Sequence, residues 1–75
     1  MSNKGQLIRQ RFAEKVASIR RKKGLSLNQV AAKCKLSNPK ISLIESGQVN
    51  VTLMTIVELA EGLSVHPKEL LDFEY

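Results

Sequence analysis

Residues 24–47, GLSLNQVAAKCKLSNPKISLIESG, decide the fold. Ser26 followed three residues later by Gln29 is a capping-box pattern, and Leu27, Val30, Ala31 and Cys34 recur at i, i+3, i+4 and i+7, which predicts a short helix over about 27–34. Lys35-Leu36 is a tight connection. Ser37 then suits an N-cap ahead of Asn38-Pro39, where a proline in the first turn forfeits no helical hydrogen bond. The next helix runs to about Ser46 and stops at Gly47, with Ile41 and Ile44 toward the core and Asn38, Lys40, Ser42 and Leu43 nearer the outside. Two short helices with a tight turn between them, the second opening on small polar groups, form the corner that can lay a helix in a DNA major groove. Small bundles that touch no DNA contain the same corner, so the spacing alone leaves both roles open.

The flanks extend this corner into an all-α, five-helix architecture. Upstream, Ile8, Phe12, Val16 and Ile19 recur at helical spacing over about 6–23, and Gly24 supplies the stop. Downstream, residues 48–51 read as a loop, Thr52 caps a fourth helix carrying Leu53, Ile56, Val57, Ala60 and Leu63, and His66-Pro67 opens a fifth with Leu70, Leu71 and Phe73. No strand-like alternation or internal repeat competes with this reading. Residues 1–5 are expected to be mobile and 6–75 to form one domain, with the helix-turn-helix at about 27–46.

The chain has 75 residues and so a thin core, which self-association is expected to supplement. One cysteine, Cys34, excludes an internal disulfide, and one histidine, His66, with no metal-ligand spacing around it, argues against a metal. Cys34 reads as core packing and His66 as a helix-entry residue, so no nucleophile and base are expected to meet and the chain is not expected to be an enzyme. No cofactor or small-molecule ligand is expected. The first fifteen residues are charged throughout, without an apolar run for a signal peptide or membrane span, which predicts a cytoplasmic protein with no membrane partner.

The net charge is +5. Cations crowd the first forty residues and acids dominate beyond them, with Glu58, Glu61, Glu69, Asp72 and Glu74 all in the last quarter. The basic half is therefore the expected face for a polyanion, which releases counterions when its phosphates are neutralised.

Gly24-Leu25-Ser26, Val30-Ala31, Leu36-Ser37, the run from Ile41 to Gly47 and the run from Ile56 to Ala60 together resemble the Xre family of phage-repressor-like regulators, over about residues 8–71. Asn50-Val51-Thr52-Leu53 and the lack of a further domain look most like the small controller proteins of restriction-modification systems. This resemblance implies a compact repressor-like fold and a transcription regulator that binds double-stranded DNA. It implies that Arg20, late in the first helix, pairs with Glu45, near the end of the third, as a structural clamp. Removing one partner of such a pair would cost about 3–5 kcal/mol if it is partly buried.

The family's base-reading positions fall on Asn38, Pro39, Lys40, Ser42 and Leu43. Asn38 is the leading candidate, because its amide can pair with adenine at two points. Lys40 suits guanine or a phosphate, and Leu43 a thymine methyl. Phosphate contacts are expected from Ser37, the loop from Gln48 to Asn50 and Thr52, with Lys33 as a cationic supplement, and Asn28 is a further DNA-binding candidate. Three residues depart from the family pattern: Leu27 replaces a glutamine, Lys35 replaces a turn glycine at a cost of about 1 kcal/mol if it is left-handed, and Ser64 replaces a glycine.

Two half-sites need two copies, so a homodimer is expected through the fourth and fifth helices, around Leu53, Met54, Val65, Leu70 and Phe73. Such a dimer would act by occupying an operator and touching or blocking RNA polymerase. The competing reading is an antitoxin that binds a toxin protein and regulates its own operon.

Overall fold

A computed structural model describes residues 3–75 and places five helices among them: α1 (Asn3–Lys22), α2 (Leu27–Ala31), α3 (Asn38–Glu45), α4 (Leu53–Leu63) and α5 (Pro67–Leu70). The first helix begins three residues earlier than its periodicity predicts. The mobility expected for residues 1–5 falls in part on Met1 and Ser2, which lie outside the described residues.

Local chemistry sets the helix starts. Ser26 Oγ accepts from the Gln29 amide while the Gln29 side chain accepts from the Ser26 amide, closing the capping box. Ser37 and Thr52 cap α3 and α4 by accepting from the Lys40 and Thr55 amides. His66 Nδ1 accepts from the Lys68 amide ahead of Pro67.

The ends differ more from expectation. After Ala31 the bonds shorten to three-residue spacing, Lys33 to Val30 and Cys34 to Ala31, so α2 stops three residues before Cys34 and the turn is longer than Lys35-Leu36. Lys35 is not left-handed, and the strain expected there is absent: the one non-glycine residue at positive φ among those described is Ser64, at 60°. Ser64 closes α4 with the same paired bonds that Gly24, at φ 69°, uses to close α1. In both, the residue past the cap bonds back five positions and the left-handed residue bonds back three.

The core draws on every helix. Val16 from α1, Val30 from α2, Ile41 and Ile44 from α3, Leu59 and Leu63 from α4 and Leu70 from α5 are buried together. Each such side chain contributes about 1.5–3 kcal/mol. Gly62 lets α2 sit directly on α4: a Cβ there would lie 2.8 Å from both Val30 Cγ1 and the Val30 carbonyl oxygen.

Arg20 joins three segments. Its Nε donates to Glu45 Oε2 at 2.8 Å and its Nη2 to Glu45 Oε1 at 3.0 Å, while Nη1 donates to the Leu25 carbonyl at 2.9 Å. The end of α1, the entry to α2 and the end of α3 are thereby fixed to one planar group. Only 14% and 11% of the two side chains are exposed, so solvent screens the pair weakly. The hydrogen bond to Glu45 holds the guanidinium above its ordinary pKa, against the opposing effect of burial and with help from the charge of Glu45. A cation so raised loses its stabilisation only when pH climbs through that higher value, so Arg20 gives the fold no pH dependence near neutrality.

Two stability predictions follow from these contacts. Glu45→Gln should lower the unfolding free energy measured in urea by about 3 kcal/mol, since Arg20 would be left with an uncompensated charge. Gly62→Ala and Ser64→Gly should move stability in opposite directions. Helix propensity favours alanine at 62 by about 1 kcal/mol, but the new methyl meets a backbone oxygen that cannot yield, and overpacking of about 1–3 kcal/mol prevails. Ser64→Gly should instead raise the melting temperature, by relieving about 1 kcal/mol of left-handed strain.

Candidate nucleic-acid interface

The burial of Ile41 and Ile44 fixes which side of α3 looks outward. Pro39, Lys40, Ser42 and Leu43 are exposed, and Leu43 leaves 47% of its surface in solvent. Asn38 is half-buried because its Nδ2 donates to Asn28 Oδ1 at 2.6 Å, across from α2. One amide hydrogen is thereby used, while Oδ1 and the second hydrogen stay available to a base edge. The contact also restricts the Asn38 rotamer, since two side chains on separate helices share one bond.

Around this face the structure places Lys33, exposed in the turn after α2, and Ser37, whose oxygen is engaged in capping. Gln48 and Asn50 are exposed in the loop between α3 and α4, and Thr52 stands at its end, bonded to Thr55. Asn50 has a partner that periodicity could not signal: Arg9 Nη1 donates to its Oδ1 at 3.5 Å, from 41 residues away. Arg9 Nε is buried without a hydrogen-bond partner, so this side chain is held in place by packing more than by polar contact. A second unanticipated residue is Glu58 on α4, whose carboxylate accepts from the Lys35 amide in the turn at 2.8 Å.

The cations are less concentrated than the sequence halves suggest. Lys15, Lys22 and Lys23 line a hollow together with Glu69 and Asp72 of the C-terminal segment, and Arg11 bonds to Glu14 at 3.4 Å. The acidic end of the chain thus folds against one side of α1, and the fold distributes charge that the sequence separates.

The residues expected at a dimer contact divide. Leu53 and Met54, at the start of α4, are 75% and 63% exposed. Val65 and Phe73 are half-buried, and Phe73 packs near Tyr75 with ring centroids 6.4 Å apart. Leu70 is fully buried within its own chain and has no surface for a partner, which removes it from that set: α5 is only one turn long and must spend its single inward position on the core. Leu71, 51% exposed, takes the outward place, and beside it an apolar hollow of about 180 Å³ is lined by Ile8, Phe12, Val49, Val51, Ile56 and Phe73.

Among the described residues no group of three or more His, Cys, Asp and Glu side chains is placed to hold a metal, and no helix is long and apolar enough to cross a membrane. Cys34 is half-buried in the turn with its Sγ against the Val30 carbonyl, and His66 caps α5.

Comparison with known proteins agrees with this geometry. Residues 16–70 match the model of a family described as helix-turn-helix. The chain is similar to control protein C.BamHI of Bacillus amyloliquefaciens, 43% identical over 88% of this chain and 83% of that protein. It is 36% identical to an uncharacterised HTH-type transcriptional regulator, y4dJ, of Sinorhizobium fredii, over 84% of this chain and 82% of the other. Among solved structures, the restriction-modification controller protein C.AhdI from Aeromonas hydrophila superposes with a TM-score of 0.80 at 32% identity, covering 87% of this chain and 94% of that one. The clp gene regulator ClgR from C. glutamicum, at 22% identity and a TM-score of 0.78, shares the fold. With a matched model across most of its length and a relative 43% identical over 83% of that protein, the chain belongs to the helix-turn-helix family.

Proposed function

We propose that this protein is a sequence-specific regulator of transcription that binds double-stranded DNA as a homodimer, with α3 of each copy in the major groove of one half-site. The observation that carries this reading is the outer face of α3, where Asn38, Pro39, Lys40, Ser42 and Leu43 lie on a helix whose other side is locked by Ile41, Ile44 and the Arg20–Glu45 pair. Rigid support matters because base readout depends on side-chain placement to within a fraction of an ångström. In this reading Asn38 pairs with adenine, Lys40 contacts guanine or a phosphate and Leu43 packs on a thymine methyl. Asn28, which holds Asn38, joins Lys33, Ser37, Gln48, Asn50 and Thr52 along the phosphates.

The similar proteins are two control proteins and an uncharacterised HTH-type transcriptional regulator, which favours this role over the antitoxin alternative. The site of action is the cytoplasm, by occupation of an operator and contact with or obstruction of polymerase. Exposed Leu53, Met54 and Leu71 favour a self-complementary contact beside the apolar hollow, and a twofold pair would present its two α3 helices about 34 Å apart, one turn of DNA.

Two measurements test the reading. Duplexes selected from a random pool by the unsubstituted protein should share two half-sites. Asn38→Ala should weaken their binding about tenfold to a hundredfold and abolish preference at one base position, while the log-log salt slope, about −0.9 per neutralised phosphate, stays unchanged. Pools with no shared sequence would defeat the assignment of α3. Separately, Met54→Asp should shift sedimentation toward the monomer and weaken two-site duplexes far more than single half-sites.

A further inference from the structure

The turn between α2 and α3 is thinly tethered. Of the backbone N–H groups of residues 35–37, none but that of Lys35 donates a hydrogen bond among the described residues, and its acceptor is the Glu58 carboxylate of α4 at 2.8 Å. Leu36 packs against the core but, being apolar, resists sliding weakly. The α4 helix therefore holds both parts of the corner: Gly62 receives α2 at Val30, and Glu58, one turn earlier, receives the turn.

Toward a bound polyanion, a carboxylate in this position is a cost. Lys33 and Lys40 are exposed on either side of the turn, and a phosphate backbone drawn to them would be repelled by an acid next to them. What favours the acid is the bond itself, since an N–H donating to an ionised oxygen forms a bond about twice as strong as one to a neutral acceptor. The turn leads directly into Ser37 and Asn38, so its placement bears on the first turn of α3, the end of that helix away from the Arg20–Glu45 pair.

We infer that Glu58 is a positioning residue for DNA recognition: by accepting the Lys35 amide it fixes the turn, and through it the first turn of α3, so that it raises preference for the specific sequence and not general affinity for DNA. This rests on α3 being the groove-reading helix. It concerns a residue that touches no base.

The full-length protein, labelled with ¹⁵N, is compared with Glu58→Ala and Glu58→Gln in two assays. Amide exchange without DNA should show Lys35 exchanging at least about tenfold faster in Glu58→Ala, and less so in Glu58→Gln, whose amide oxygen still accepts. Binding is measured on a duplex selected by the unsubstituted protein and on a scrambled duplex of equal length. Removal of the charge acts on both duplexes alike, so the quantity read is the ratio of selected to scrambled affinity, which should fall about tenfold in Glu58→Ala, with Glu58→Gln in between. Should Glu58→Ala fail to fold, the Glu58→Gln values alone must show both shifts. Equal tightening on both duplexes would mean that Glu58 acts only through its charge, and unchanged Lys35 exchange would mean that it does not hold the turn; either overturns the inference. Failure of the groove reading is distinguishable, because the unsubstituted protein would then prefer neither duplex.

Discussion

The guanidinium of Arg20 is the point on which three segments of this small domain converge. Two of its nitrogens meet the two oxygens of Glu45 and a third meets the Leu25 carbonyl, so the end of α1, the entry to α2 and the end of α3 share one rigid plane. A lysine could supply the charge but not three donors at fixed angles. In a core built from few large side chains, apolar packing alone would let α3 slide or rotate on its two isoleucines at modest cost. A bidentate pair mostly shielded from water removes that freedom.

What remains outward on α3 is correspondingly unconstrained in chemistry and constrained in position. Ser37 is occupied with capping and Asn38 with Asn28, yet Asn38 keeps an acceptor and a donor without a partner among the described residues. The exposed Leu43 is the apolar exception on that surface, beside Lys40 and Ser42. Preorganisation of this kind lowers the ordering cost of binding, which matters in an interface of a few side chains.

Net charge is a poorer guide than its placement. Lys15, Lys22 and Lys23 lie beside Glu69 and Asp72, so part of the basic half is balanced by the acidic end. Elsewhere, Arg9 reaches the α3–α4 loop at Asn50 and Glu58 reaches the turn before α3. Both are contacts between a charged side chain and a loop that flanks α3.

Features that depend on neighbours along the chain were legible before the structure. Ser26, Ser37 and Thr52 start helices because their side-chain oxygens satisfy amides three residues ahead, and the spacing of Ile41 and Ile44 assigns the two sides of α3 from local periodicity alone. The pairing of Arg20 with Glu45 was also legible, though through family resemblance and not through spacing. Contacts between distant segments emerge in three dimensions alone. Lys35 avoids a left-handed turn, whereas Ser64 adopts one at the end of α4, where its amide bonds to Glu61 and that of Val65 to Ala60. Leu70 goes to the core and Leu71 to the surface because a single-turn helix has one inward position. Arg9 and Glu58 find Asn50 and Lys35 across 41 and 23 residues, distances over which no periodic pattern carries information.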